Sequence, residues 1–84
     1  MQTISAAEER INALYTQRTR TIEELSDIQQ ELADNRETIN KNERIGDVAA
    51  TQRARDARQV YLEERDNLNE RKLAIEQNIA AERN

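Results

Sequence analysis

The chain has no cysteine, no histidine, no proline, no phenylalanine and no tryptophan, and it has one glycine. Without cysteine it has no disulfide framework, no thiolate nucleophile and no zinc–thiolate site. Without histidine, neither a Ser-His-Asp triad nor the Glu-x-x-His motif of di-iron helix bundles can be assembled. One glycine is too few for a glycine-rich phosphate loop. We therefore expect a protein that is not an enzyme and that binds no metal or cofactor.

Aromatic and apolar residues are also scarce for a chain of 84 residues. Tyr15 and Tyr61 are its two aromatic residues, and charged and hydrophobic residues each make up 36%. Such a composition cannot build the thick core of an ordinary globule. Disorder is disfavoured as well, because disordered chains are usually rich in proline, glycine and serine. Alanine, glutamate, glutamine, arginine and leucine dominate instead, and because these residues favour helix, the composition predicts an all-α chain.

A surplus of basic charge is missing too, since the net charge is −4. Affinity for nucleic acid or for an anionic membrane requires a surplus of lysine and arginine, so neither is an expected partner. No apolar run approaches the roughly 18 residues of a membrane-spanning helix. The segment MQTISAAEERI also lacks the basic start and the apolar run of a signal peptide. We expect a soluble, cytoplasmic protein.

Hydrophobic residues recur every seven positions in each half of the chain, which is the pattern of a coiled coil. In the first half, one layer contains Ile4, Ile11, Leu25, Leu32 and Ile39, interrupted by Arg18, and the other contains Ala7, Leu14 and Ile28, interrupted by Thr21, Asn35 and Asn42. In the second half, one layer contains Ala54, Tyr61, Leu68 and Ile75, and a weaker one contains Ala50 and Ala57 followed by Glu64, Arg71 and Asn78. Val48, Leu62 and Leu73 fall outside both layers, and we expect them to be exposed singly. The alternative is that Leu62 and Leu73, which are eleven residues apart and so lie on a similar side, meet a third helix or a partner.

The two patterns are out of phase by one residue, and the shift falls at Gly46 and Asp47. A turn absorbs such a shift, whereas a continuous rod must unwind locally to accept it. Glycine suits the left-handed end of a helix, and Asp47 can cap the next helix by accepting a bond from the N–H of Ala49 or Ala50. We predict one helical-hairpin domain over residues 1–84, with a helix over about 5–45, a turn at 46–47 and a helix over about 48–82. Thr3 or Ser5 would cap the first helix.

Folding the chain at this turn pairs residues whose numbers add to about 93. Leu32 then meets Tyr61, Leu25 meets Leu68, and Arg18 lies by Ile75. This pairing predicts an antiparallel two-helix coiled-coil hairpin. The segment Thr16–Thr21 is poor in apolar residues, and we interpret it as a weak, solvated turn within one helix. The alternative is a break there and a third helix.

A second apolar stripe near the two ends of the chain indicates self-association. It contains Ile11, Tyr15 and Ile22, with Ile79 on the opposite helix. A two-helix hairpin buries only a narrow line of side chains, so two copies joined at this stripe as a four-helix bundle would be more stable. The alternative is that these residues only broaden the contact within one hairpin.

Charge is spread unevenly along the predicted hairpin. Residues 38–60 carry five basic and three acidic groups, which is +2, and the rest carry eight basic and fourteen acidic groups, which is −6. Arg53, Arg55 and Arg58 near the turn are candidates for contact with an acidic surface. The alternative is that they form an ordinary solvated face.

Two functions fit these features. The first is a non-enzymatic protein-protein interaction or scaffolding module, an adaptor that works as a homodimer and binds another protein. The second is a small acidic regulator or inhibitor, of the kind that a phage or mobile element encodes, which occupies a basic groove of a nucleic-acid-handling protein. Direct binding of nucleic acid by the turn ranks below both, because the net charge has the wrong sign.

Overall fold

The chain folds into two long α-helices that pack against each other. The computed structural model describes residues 5–83, and within them α1 spans Ala6–Ile45 and α2 spans Val48–Arg83. The molecule measures 67 by 22 by 13 Å. The predicted all-α hairpin is therefore confirmed. Thr3 and Ile4, predicted as a cap and as a core position, lie outside the described residues.

The turn between the helices is built by Gly46 and Asp47. Gly46 has φ 74° and ψ 21°, the left-handed conformation that glycine adopts without strain. Its N–H donates to the carbonyl of Glu43, and the N–H of Asp47 donates to the carbonyl of Asn42. These two bonds satisfy the last carbonyls of α1 in a Schellman motif. A Cβ at Gly46 would meet nothing within 4 Å, so the backbone conformation, and not lack of space, is what favours glycine there.

Asp47 also begins α2, because its carboxylate accepts a bond of 3.0 Å from the N–H of Ala50. The predicted turn and cap are thus confirmed, and the continuous rod is excluded. Ser5 caps α1 in the same way, accepting from the N–H of Glu8 at 3.1 Å. Since α1 runs unbroken through Thr16–Thr21, no separate helix begins there.

The helices are antiparallel, with a register close to the predicted one. Arg10 pairs with Glu82, Arg18 with Glu76 and Arg71 with Glu24, so the numbers of the paired residues add to 92, 94 and 95. The line of side chains between the helices, called the seam below, therefore aligns as the sequence predicts. Within residues 5–83, neither helix has a segment apolar enough to cross a membrane.

On α1 the seam follows the predicted layers. Its buried residues are Thr21, Leu25, Ile28, Leu32 and Asn35. On α2 the first predicted layer is also correct: Ala54, Leu68 and Ile75 are buried and Tyr61 is half-buried. The tightest cluster joins Leu25, Ile28, Leu32 and Leu68, with Tyr61 and Leu62 packed against it.

The second predicted layer of α2 is wrong. Glu64, Arg71 and Asn78 are exposed, whereas Thr51 and Ile79 are buried and Arg58, Arg65 and Lys72 are half-buried. The aliphatic stems of long basic side chains can cover a seam while their charged ends reach water. The helix α2 is therefore rotated about its own axis relative to the predicted orientation. This rotation brings Leu62 against the core, so the predicted exposure of Leu62 is wrong as well. Val48 and Leu73 are exposed, as predicted.

Polar side chains interrupt the seam at several levels. Asn35 donates from Nδ2 to the carbonyl of Ala54 at 2.9 Å, but its buried Oδ1 has no partner. The hydroxyls of Thr21 and Thr51 donate to carbonyls one turn earlier in their own helices, at 2.8 and 2.7 Å. The hairpin therefore has a thin, partly polar interior.

Candidate protein interface

Contacts between the two helices distinguish the two long sides of the hairpin. The Glu43–Arg55 ion pair and the Tyr15–Arg83 contact lie along one side. The Arg71–Glu24 pair, 3.6 Å apart, lies along the other. Residues seven apart in a coiled-coil helix share a side, because seven residues make two turns. The two sides can therefore be followed along the whole hairpin.

The first side carries few charges in the middle of the hairpin, whereas toward its ends it carries Glu8, Arg36 and Glu43 of α1 and Arg55 and Arg83 of α2. We call the middle stretch the low-charge face, and it contains Tyr15, Thr19, Ile22, Ser26, Gln29 and Ala33 of α1 with Gln59, Leu62, Asp66, Asn69, Leu73, Glu76 and Ala80 of α2. Only two of these residues are charged, and both are paired. Asp66 accepts from Arg65 at 3.3 Å and Glu76 from Arg18 at 3.1 Å.

Apolar side chains lie near the middle of the low-charge face. Ile22 is 40% exposed and Leu73 is 56% exposed. Their numbers add to 95, which places them at nearly the same level of the hairpin. Tyr15 and Leu62 are half-buried on the same face. Depletion of charge around exposed apolar side chains is typical of the core of a protein interface.

The middle of the opposite side carries a run of carboxylates, which we call the acidic side; Arg10, Arg20 and Lys41 of α1 and Arg53 and Arg71 of α2 lie on the same long side of the hairpin. Its exposed or half-buried carboxylates on α1 are those of Glu24, Asp27, Glu31 and Asp34, and Glu64 lies across from them on α2. Of these five, only Glu24 has an ion-pair partner in the described part of the chain. The hairpin thus has one low-charge face and one acidic side.

The structure separates the four residues of the predicted dimer stripe into two groups. Tyr15 and Ile22 lie on the low-charge face. Ile79 is only 7% exposed and belongs to the seam, and Ile11 is half-buried in the seam as well. Ile79 still lines a shallow groove beside Tyr15, where the Arg83 guanidinium lies 5.3 Å from the centre of the Tyr15 ring.

For Leu62 and Leu73 the sequence leaves contact with a partner as the alternative to isolated exposure, which is the preferred interpretation. They are eleven residues apart, about three helical turns, so their shared side is detectable from the sequence. What the sequence does not show is that this side adjoins Tyr15 and Ile22 on the other helix. That neighbourhood depends on the rotation of α2 in the hairpin.

The three predicted contact residues near the turn do not form one cluster. Arg55 pairs with Glu43, and half-buried Arg58 donates to the carbonyl of Leu32 at 3.3 Å. Arg53 is exposed. Among residues 5–83, no ion pair involves Arg53 or the nearby Lys41 and Arg44. Of the three predicted arginines, only Arg53 is therefore free of such contacts, and Lys41 and Arg44 are the other unpaired cations near the turn.

The described part of the chain has no recognisable metal site. No group of three or more His, Cys, Asp or Glu residues within residues 5–83 is arranged to hold a metal ion.

Comparison with known proteins finds no matching family, no significantly similar curated protein and no significantly similar solved structure.

Proposed function

We propose that this chain is a non-enzymatic protein-protein interaction module, a helical hairpin that forms a homodimeric scaffold through its low-charge face. The observation that carries this proposal is the low charge of that face around exposed Ile22 and Leu73. A single apolar residue exposed to water is ordinary, but here exposed Ile22 and Leu73 lie in a stretch of thirteen residues of which two are charged, in a chain with 36% charged residues.

The thin seam supports the same proposal. Seven hydrophobic residues of the described chain are buried, and none of the described side chains is fully buried. A core of this size rarely outweighs the conformational entropy lost on folding. Pairing two low-charge faces would cover Ile22, Leu73 and Leu62 and would close a four-helix bundle, in which each helix buries a third position beside the two of the seam.

The resulting scaffold would present two kinds of surface to other proteins. The acidic sides would face outward on both flanks of the bundle, and the turns with exposed Ile45 and Val48 would lie at its ends. A rigid bundle with several accessible surfaces suits an adaptor or spacer. This step from architecture to function rests on the surfaces and not on the fold, since helical hairpins serve many roles.

Exchanging Ile22 for glutamate tests the proposal. In the dimer the new carboxylate would be buried against a second copy without a partner, so we expect the mass in solution to fall from twice 9.8 kDa to 9.8 kDa at tens of micromolar protein. Light scattering coupled to size exclusion measures that mass. The measured mass distinguishes a dimer from a monomer whether or not the separated hairpin keeps its helical content.

Val60→Glu is the matched control for this experiment. Val60 is also β-branched and is 60% exposed, but it lies away from the low-charge face. We expect this variant to keep the mass of the dimer. A wild-type protein with the mass of a monomer, or a dimer that survives Ile22→Glu, would contradict the proposal.

A second candidate function is favoured by the acidic side. Its carboxylates at Asp27, Glu31 and Asp34 could occupy a basic groove of a nucleic-acid-handling protein in place of phosphates. Binding of that kind should weaken steeply as salt rises from about 50 to 200 mM, because the attraction is electrostatic. Titration of a nucleic-acid-binding enzyme at both salt concentrations checks this, with the double variant Glu31→Gln and Asp34→Asn expected to bind more weakly. Binding that is insensitive to salt would contradict this second candidate.

A further inference from the structure

We propose that the long side of the hairpin opposite the low-charge face binds a second copy of the chain. The two copies lie antiparallel and shifted, so that Lys41 and Arg53 of each copy meet carboxylates on the acidic side of the other. This contact uses a different surface from the proposed dimer and does not depend on it. It gives the hairpin a second self-association surface, which is governed by charge.

This long side has an anionic stretch and a cationic stretch. The anionic stretch is the acidic side, where only Glu24 of the five carboxylates has an ion-pair partner among residues 5–83. Toward the turn, the same side continues with Thr38, Lys41 and Ile45 of α1 and Ala50, Arg53 and Ala57 of α2. Lys41 and Arg53 are exposed, and none of the ion pairs of the described chain includes them. One side of one hairpin thus carries two complementary stretches, which is why the occupant is a second copy.

The cations are offset from the carboxylates by nearly the same distance on both helices. Lys41 lies 10 residues from Glu31 on α1, and Arg53 lies 11 residues from Glu64 on α2. These offsets correspond to about 15–17 Å along the helices. Their midpoints, near positions 36 and 58, add to 94, so they lie at one level of a hairpin whose ion pairs add to 92, 94 and 95. One two-fold axis at that level therefore brings both cations of each copy onto carboxylates of the other.

Exposed Val60 supports this alignment. Val60 lies on the same long side and is 60% exposed. The axis that pairs Arg53 with Glu64 also sets Val60 of each copy against Ala57 of the other, because both pairs of numbers add to 117. Ala57 is small, so it leaves room for the branched side chain of Val60. The contact therefore covers an exposed apolar side chain between the charged pairs.

Other alignments of the same side pair fewer opposite charges. If the two acidic sides were level with one another, the carboxylates of one copy would face those of the other. A shift toward the two chain ends would use Arg10, Arg20 and Arg71, but Glu82 already holds Arg10 and Glu24 holds Arg71 within the hairpin. A parallel pair with the same shift would set only one acidic side against a turn. The shifted antiparallel pair sets both acidic sides against turns.

The dependence of mass on salt tests the contact. Because each copy has a net charge of −4, two copies repel one another, and lower salt strengthens that repulsion. Complementary stretches in contact reverse this trend. At about 1 mM protein, we expect sedimentation velocity to give an average mass about 1.5-fold or more higher in about 20 mM salt than in about 300 mM salt. A mass that is unchanged or lower at low salt overturns the inference.

An exchange of charges between the two stretches tests which residues form the contact. Replacing Lys41 and Arg53 with glutamate should abolish the rise in mass at low salt. Adding Glu31→Lys and Glu64→Lys to the same chain should restore the rise, because the stretches have then exchanged signs and the net charge is again −4. All four side chains are exposed, so none of these changes removes a buried contact. A fourfold variant with no rise in mass overturns the inference.

Arg44→Glu is the matched control. Arg44 is an exposed cation three residues from Lys41 and is in no ion pair of the described chain, but it lies on the outer side of α1. This variant should keep the rise in mass. A loss of the rise would show that net charge, and not this surface, controls the assembly.

The same measurement separates this contact from the proposed dimer. Ile22→Glu should lower the mass at both salt concentrations and still show a rise at low salt. A wild-type protein with the mass of a monomer in 300 mM salt and a rise in 20 mM salt would overturn the proposed dimer and support this contact. At tens of micromolar protein and moderate salt this contact is screened, so Val60→Glu remains a control for the proposed dimer.

Discussion

Replacing Ile28 with alanine is expected to unfold most of the hairpin. Ile28 is 5% exposed and belongs to the cluster that joins Leu25, Leu32 and Leu68. Truncating a buried isoleucine to alanine typically costs about 2–5 kcal/mol. A single core in a chain of this size rarely supplies more than about 3–5 kcal/mol, so the substitution removes most of the stability.

Circular dichroism at 222 nm during urea or thermal unfolding measures this loss. Val60→Ala is the matched control, since it removes a branched side chain of similar size from an exposed position of α2. Its free energy of unfolding should stay within about 0.5 kcal/mol of the wild type, as is usual for surface substitutions. An Ile28→Ala protein with the unfolding midpoint of the wild type would show that this cluster does not hold the hairpin together.

Replacing Asn35 with leucine is expected to stabilise the hairpin by about 1–3 kcal/mol. Asn35 is 8% exposed, and its Oδ1 is a buried acceptor with no partner. Leucine removes that unsatisfied group and adds apolar contact beside Ala54. The carbonyl of Ala54 loses the bond from Asn35 but keeps its place in the helical ladder of α2, so no new unpaired group is created.

The thermal midpoint of Asn35→Leu should rise by about 4–24 °C, because 1 kcal/mol shifts the midpoint of a domain of this size by about 4–8 °C. Asn35→Ala separates the two contributions, since it removes the unsatisfied oxygen without adding apolar contact and should change the midpoint less. A lower midpoint for Asn35→Leu would show that Oδ1 has a partner in solution.

A buried asparagine also fixes the alignment of helices, so the leucine variant should tolerate shifted pairings that the wild type excludes.

The architecture was predictable because two strong signals agree. The repeat of Leu25, Leu32 and Ile39 fixes the inner side of α1, and the single glycine coincides with the change of phase. Each signal alone leaves a continuous rod possible. Together they predict the turn, and the turn then predicts the register that the Arg18–Glu76 pair shows.

The layer of α2 formed by Arg58, Arg65 and Lys72 was not predictable from hydrophobicity. Hydrophobicity alone places these three charged residues outside and the small apolar Ala50 and Ala57 inside. In the structure all five are half-buried, because the aliphatic stems of the long side chains can lie along the seam while their charged ends reach water. The low-charge face was missed for the same reason, because its position depends on how α2 rotates against α1.

The position of the single turn also determines the order in which contacts form during folding. Asn35 and Ala54, which pair near the turn, are 19 residues apart in the chain, whereas Arg10 and Glu82 are 72 apart. Closing the longer loop first would cost about 1.2 kcal/mol more in chain entropy. Contacts should therefore form first beside Gly46 and spread toward the two ends of the chain. In the reverse direction, the ends separate first, so backbone amides beside the turn should exchange with solvent more slowly than those near Ser5 and Arg83.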